Sequence, residues 1–226
     1  MRHFPIFLDL RGRRAVVLGG GAEAARKIEL LLRAGARPLV VARVVVPEIA
    51  DWIAARRCEQ WADPFEADCL LGAALAIAAS GDWALDIAFA TAAHVRGLPV
   101  NVVDRPELSS FIMPAIVDRG PVTVAVSTGG TSPTLARIIR DRIERALPLG
   151  VGQLAWLAGK LRPIVRSCLP DLARRRRFWR TALGGSAWTL ALGGHRRAAE
   201  SALLSALRRE VKEGISPSVM IPKFAK

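Results

Sequence analysis

Residues 14–34 constrain the fold more than any other stretch. Arg14-Ala15-Val16-Val17-Leu18 is a short apolar run that predicts a buried strand. Gly19-Gly20-Gly21-Ala22-Glu23-Ala24 follows at once. Ala22 to Ala34 then carries Ala24, Ile28, Leu31 and Leu32 at helical spacing, and Gly35 stops it. A strand that turns through a glycine-rich loop into a helix opens a βαβ unit. The pattern continues with predicted strands over 38–42, 74–79 and 98–103 and helices over 47–56 and 83–95. Continuous apolar strands alternating with helices imply a parallel sheet covered by helices, an α/β domain of Rossmann type.

Past Met113-Pro114 the pattern changes. Val122 to Ser127 alternates and predicts a half-buried strand. Ser132 is a good N-cap and Pro133 a good first residue for a helix to about Ala146. Pro148-Leu149-Gly150 breaks the chain, and further helices are expected over 153–166, 170–182 and 196–212. The expected organisation is a nucleotide-binding domain over 1–113, a small α+β region over 114–149, a helical domain over 150–216 and a loose tail over 217–226.

Composition narrows the function classes. The chain has 226 residues, 51% hydrophobic and 23% charged, which is globular rather than disordered. Cys58, Cys69 and Cys168 are scattered, as are His3, His94 and His195. Neither a disulfide framework nor a permanent metal site is expected from them. Charges interrupt any N-terminal leader pattern, and the longest apolar stretch, Cys69 to Ala79, is too short to span a bilayer. A soluble cytoplasmic protein is expected. The net charge of +13 points to an acidic partner, with much of it on Arg137, Arg140, Arg142, Arg145, Lys160, Arg162, Arg166 and Arg174 to Arg177. A solvated helix face accounts for the same charge.

Gly19-x-Gly21-x-x-Ala24 sits between strand and helix, the context a dinucleotide fingerprint requires. Gly19 permits the tight turn, Gly21 lets backbone approach a pyrophosphate, and Ala24 allows close helix–strand contact. The acidic residue expected about 20 residues on, for the ribose hydroxyl, is absent. Ala42-Arg43-Val44 stands there instead, which leaves NAD and NADP both open.

Two other segments carry chemistry. Asp104 follows the strand Val100-Asn101-Val102-Val103, at the carboxyl end where ligands bind in a parallel sheet. It is either a general base or acid, or an N-cap for Arg105-Pro106-Glu107. Ser127-Thr128-Gly129-Gly130-Thr131-Ser132 offers hydroxyls and backbone N–H groups ahead of a helix. It is either an anion cradle or a capped connection. No GxSxG motif is present, so a nucleophilic serine is not expected.

These residues resemble the precorrin-2 dehydrogenase/sirohydrochlorin ferrochelatase family, including the N-terminal module of bifunctional siroheme synthases. The matching stretches are Phe4 to Leu8, Gly19 to Gly21 with Arg26-Lys27, Ala34-Gly35-Ala36, Asn101 to Asp104, Ser110-Phe111-Ile112-Met113-Pro114, Val124 to Pro133, and Arg175-Arg176-Arg177-Phe178-Trp179. The resemblance implies a homodimer with a Rossmann domain, dimerisation over 114–149 and a helical part. It implies NAD-dependent oxidation of precorrin-2 to sirohydrochlorin, and in many members insertion of ferrous iron to give siroheme. Asp104 matches the aspartate implicated in both reactions. Ala22, Glu23, Arg43 and Val44 match cofactor-contacting positions, although many members have an acidic residue near Arg43.

By the same resemblance, Thr128 stands where some siroheme synthases carry a phosphorylatable serine, and the methyltransferase module of full synthases does not fit within this length. The substrate is expected at Ser127, Thr128, Gly129, Gly130 and Thr131. Iron is expected as a transient substrate, and neither nucleic acid nor membrane is an expected partner. The competing readings are a dehydrogenase that leaves chelation to another protein, an NAD(H)-responsive anion- or nucleic-acid-binding module, and a redox sensor without catalysis.

Overall fold

The computed structural model describes residues 2–213, and the tail expected over 217–226 lies outside them. The chain divides into two compact units. Among the described residues, the first comprises 2–113 with Ser127–Ser132, and the second comprises Pro114–Val126 with 133–213.

Five parallel strands form the sheet of the first unit: β1 (Arg14–Leu18), β2 (Arg37–Val41), β3 (Glu59–Trp61), β4 (Ala73–Ala78) and β5 (Val100–Val102), in the order β3-β2-β1-β4-β5. Helices α1 (Ala22–Arg33), α2 (Pro47–Ala54) and α3 (Trp83–Val95) connect them. Alternation along the strands sorts the core onto two faces. Val17, Val40 and Ile77 pack with Ala24, Ile28, Leu31 and Ile49. Val16, Leu18, Val41, Ala76, Val100 and Val102 pack with Phe89, Ala90 and Ala93. Each fully buried aliphatic side chain contributes about 1.5–3 kcal/mol, so both faces must be covered for the sheet to persist. The chain winds from β1 outward to β3, then returns past β1 to β4 and β5. That reversal sets a crevice at the carboxyl ends of β1 and β4.

One feature of this unit departs from the sequence expectation. Glu59-Gln60-Trp61 forms an edge strand that its polar composition does not announce, held by pairing with β2. Within the apolar run from Cys69 the strand begins at Ala73, close to the expected 74–79. A 3-10 turn over Ala67–Leu70 and Gly72, at φ +70°, precede β4.

The second unit opens with an antiparallel hairpin of β6 (Ala115–Arg119) and β7 (Val122–Val126), turned at Gly120. Helices α4 (Pro133–Ala146), α5 (Gly150–Cys168), α6 (Leu172–Gly184), α7 (Ser186–Leu192) and α8 (Arg196–Glu213) follow. Sequence periodicity did not predict β6 or α7, and it started α5 three residues late, at 153 rather than 150. Gly150 and Gly152 act here as close-contact residues rather than breakers. A Cβ on Gly152 would lie 1.8 Å from the Arg119 carbonyl oxygen, and one on Gly150 2.2 Å from that of Ala191. Leu154, Leu157, Leu161 and Val165 of α5 bury against Phe178, Ala187, Ala191 and Leu203.

Many arginines of this unit serve its own framework. Arg119 donates to the carbonyls of Glu144 and Leu147, capping the end of α4, and pairs with the Glu144 carboxylate at 3.2 Å. Arg174 donates to the Glu210 carbonyl at 2.6 Å, Arg177 pairs with the Glu210 carboxylate at 3.5 Å, and Arg175 donates to the Leu169 carbonyl. Phe178, beside this run, is a core residue. Among the described residues no helix is long and apolar enough to cross a membrane.

Candidate active site

The loop between β1 and α1 is shaped by its neighbours. Gly19 has φ +115°, and a Cβ on it would sit 2.3 Å from the Ala79 carbonyl oxygen. A Cβ on Gly20 would sit 2.0 Å from the Val44 carbonyl oxygen. Hydrogen bonds from Gly19 N–H to the Val41 carbonyl and from Val46 N–H to the Gly20 carbonyl tie the loop to the end of β2. Gly21 differs. Nothing lies within 4 Å of its would-be Cβ, and it supplies no side-chain cap to α1. The first-turn N–H groups of α1 therefore have no side-chain cap at the positive end of the helix. Glu23 sits in that first turn, bonded to Lys27 at 2.8 Å and Arg26 at 3.1 Å. These cations, Lys27 foremost, hold its carboxyl below the ordinary glutamate value. An anion arriving here meets a neutralised carboxylate.

Loop and β2 end come together as the spacing implied. Arg43 and Val44 are both exposed, and Val44 contributes its backbone to the seat of Gly20. A cavity of about 270 Å³ opens beside them, lined by Leu18, Val41, Arg43, Asp63, Phe65 and Leu85 among others. Asp63 and Phe65 were missed by sequence reasoning, because they lie past the edge strand that composition hid. Asp63 lines the cavity from the segment after β3, opposite in charge to Arg43 in the segment after β2. A glycine cradle with free helix donors and a neighbouring cavity fits a dinucleotide.

Asp104 lies at the exit of β5, on the same carboxyl edge of the sheet as the glycine loop. Its backbone is left-handed, at φ +58°. A left-handed aspartate costs about 1–2 kcal/mol relative to an ordinary conformation, and such strain concentrates at functional sites. The capping alternative is not realised. The residue ahead of the short 3-10 turn Pro106–Leu108 is Arg105, and no side chain caps that turn. Ser109 Oγ pins the segment instead, donating to the Arg105 carbonyl at 2.8 Å and accepting from Val102 N–H at 2.9 Å. The exposed Asp104 carboxylate makes no hydrogen bond or ion pair with the described residues, so it is free to act on a ligand.

The Ser127–Ser132 loop closes on itself. Thr128 Oγ1 donates to the Ser132 carbonyl and accepts from Ser132 N–H, both at 3.0 Å. Thr131 Oγ1 donates to the Thr128 carbonyl at 2.7 Å, and Ser127 Oγ accepts from Gly129 N–H. Gly129 and Gly130 take φ +67° and +86°. The hydroxyls of Ser127, Thr128 and Thr131 are thus engaged within the loop. Among the described residues no group of three or more His, Cys, Asp and Glu side chains is placed to hold a metal ion.

With this geometry in hand, comparison with known proteins decides the family. A family model described as NAD(P)-binding matches residues 6–115, one for the central region of sirohaem biosynthesis proteins matches 119–146, and one for the sirohaem synthase dimerisation region matches 150–207. The chain belongs to the siroheme synthase family. It is 45% identical over 221 residues to siroheme synthase 1 of Halorhodospira halophila, covering 93% of this chain and 44% of the relative. It is 49% identical over 209 residues to the siroheme synthase of Methylococcus capsulatus, covering 91% and 44%. The chain thus spans about half the length of the siroheme synthases it matches. A solved structure, SirC, precorrin-2 dehydrogenase, shares the fold at a TM-score of 0.71 and 24% identity, covering 92% of this chain and all of that one. The stretch matched by the NAD(P)-binding model contains the cradle described above, in keeping with a nicotinamide cofactor.

Proposed function

We propose that this chain oxidises precorrin-2 to sirohydrochlorin with NAD, and that it then inserts ferrous iron to give siroheme. The observation that carries the reading is Asp104: a strained, unpartnered carboxylate on the same sheet edge as an open glycine cradle. Asp104 accepts the proton released as the macrocycle is oxidised. It is also the group that receives pyrrole protons when iron enters, with iron as a passing substrate. NAD, when bound, supplies the hydride acceptor. Gly19, Gly21, Ala22 and Glu23 hold the dinucleotide against the start of α1, and Arg43 and Val44 border its adenosine half. Asp63 favours NAD by offering a carboxylate where a 2′-phosphate would be repelled. Ser127, Thr128, Gly129, Gly130 and Thr131 form a preset loop that takes substrate through the backbone N–H groups its own acceptors leave unused, those of Thr128 and Gly130. The reading carries with it a homodimer built through the second unit, in the cytoplasm.

Anaerobic incubation of the protein with precorrin-2 and NAD tests this. Sirohydrochlorin absorbance is expected to rise, and added ferrous iron to shift it to that of siroheme. No NAD-dependent change sinks the reading, and oxidation without iron uptake leaves a dehydrogenase alone. Asp104→Ala is expected to lower turnover about 10²–10⁴-fold while dinucleotide affinity holds.

A further inference from the structure

Beside Asp104 stands a second feature that the reaction above does not use. The Arg105 guanidinium lies over the Trp83 indole, 4.1 Å from the ring centroid. Trp83 opens α3 just after β4, and Arg105 follows β5, so the stack bridges the exits of two neighbouring strands. Both residues are exposed, Trp83 at 48%. Arg105 forms no ion pair with any described residue, unlike Arg174, Arg177 and Arg119. Its backbone is fixed by Ser109 Oγ on the Arg105 carbonyl and by Arg105 N–H on the Val102 carbonyl.

An arginine held this way is a preset anion reader. The indole covers one face of the guanidinium and limits its rotamers, while the N–H edge stays open to a planar carboxylate. Little side-chain entropy remains to be lost on binding. The stack lies one to two strands from the glycine loop, with Arg105 at the far end, about 10 Å across the sheet at the usual strand spacing. It therefore lies on the Asp104 side of the crevice rather than at the start of α1.

We propose that Arg105, held by Trp83, is a specificity residue that binds a peripheral carboxylate of the macrocyclic substrate beside Asp104. The proposal rests on the tetrapyrrole reading given above. Its test uses the full chain with Arg105→Met, Arg105→Lys and Trp83→Leu. Arg105→Met is expected to raise KM for precorrin-2 about tenfold, the size of one charge-assisted hydrogen bond, with kcat and KM for NAD within about twofold of the parent. Arg105→Lys is expected to recover part of the loss, and Trp83→Leu to lie between parent and Arg105→Met. Direct titration with uroporphyrin is expected to show the same order, with coproporphyrin, which has fewer carboxylates, less sensitive to the change. An unchanged KM for precorrin-2 overturns the proposal. So does an effect confined to KM for NAD, which would assign Arg105 to the cofactor phosphates, or a joint loss of Tm, kcat and both KM values, which would make it a structural tether. If the parent protein oxidises no precorrin-2, the tetrapyrrole reading itself fails, whereas the uroporphyrin titration still reads Arg105 on its own.

Discussion

Two glycine-rich loops precede helices in this chain, and they reach their shapes by opposite routes. Gly19-Gly20-Gly21 is moulded from outside: the carbonyls of Ala79 and Val44 press where side chains would be, and its outer rim is left open. Ser127 to Ser132 is moulded from inside. Its hydroxyls bond its own backbone, and a Cβ on Gly129 or Gly130 would meet nothing within 4 Å. In the first loop glycine makes room for neighbouring backbone and keeps a ligand face clear. In the second, glycine only permits left-handed φ. Composition alone does not separate the two cases.

Substitutions sharpen the contrast, and the largest effect is expected at Gly19. Gly19→Ala combines a left-handed backbone with a backbone clash, and should cost about 2–4 kcal/mol in thermal or denaturant unfolding. A loss below about 1 kcal/mol would show that the loop adapts, and would remove the distinction between the loops. Gly21→Val is the complementary probe. Its Cβ enters open space, so Tm should move little while NAD affinity, read by calorimetry, falls about tenfold or more. Unchanged affinity would mean that the open rim is not the dinucleotide seat.

In the self-closed loop the effects are smaller. Thr128→Ala removes a hydroxyl that both donates and accepts, and should cost about 1 kcal/mol without touching NAD affinity. Thr128→Ser should restore most of it; failure to do so would mean the threonine methyl, not the hydroxyl, holds the loop. The smallest effect is expected at Glu144, near the end of the helix that this loop precedes. Arg119 first, with Arg140, holds its carboxyl below the ordinary value. A lowered folded-state value stabilises the fold above the ordinary glutamate range, and that contribution disappears as pH falls through the lowered value. Glu144→Gln should therefore lower Tm slightly near neutral pH, with parent and variant converging in acid. A constant difference across pH would point to lost packing rather than charge.

Much of the architecture was legible because period and punctuation agree. Val16 to Leu18, the glycine loop and the α1 stripe each point to the same βαβ start, and the sheet and its helices follow that reading. Short polar elements escaped. β3 has no apolar signature, and α7 lies in a stretch where flanking glycines read as breaks. The site was half legible. Gly19, Gly21 and the β2 end lie together as their spacing implied, because one βαβ unit covers them. Asp63 and Trp83 carry no motif, and only the sheet brings them to its carboxyl edge.

The sequence by itself determined the α/β pattern, the glycine loop and the placement of Asp104 after an apolar strand. These depend on local periodicity and on residue types with few conformational options. Tertiary structure alone decided that Asp104 is a strained free carboxylate rather than a helix cap, since that depends on Ser109 pinning the neighbouring backbone. It also decided which arginines are available. Arg174 and Arg177 are engaged by Glu210 of α8 and Arg175 by the Leu169 carbonyl just past α5, whereas Arg105 is held open over Trp83. A charge count is a property of the chain, but a charge that can bind is one whose partners across the fold have left it unpaired.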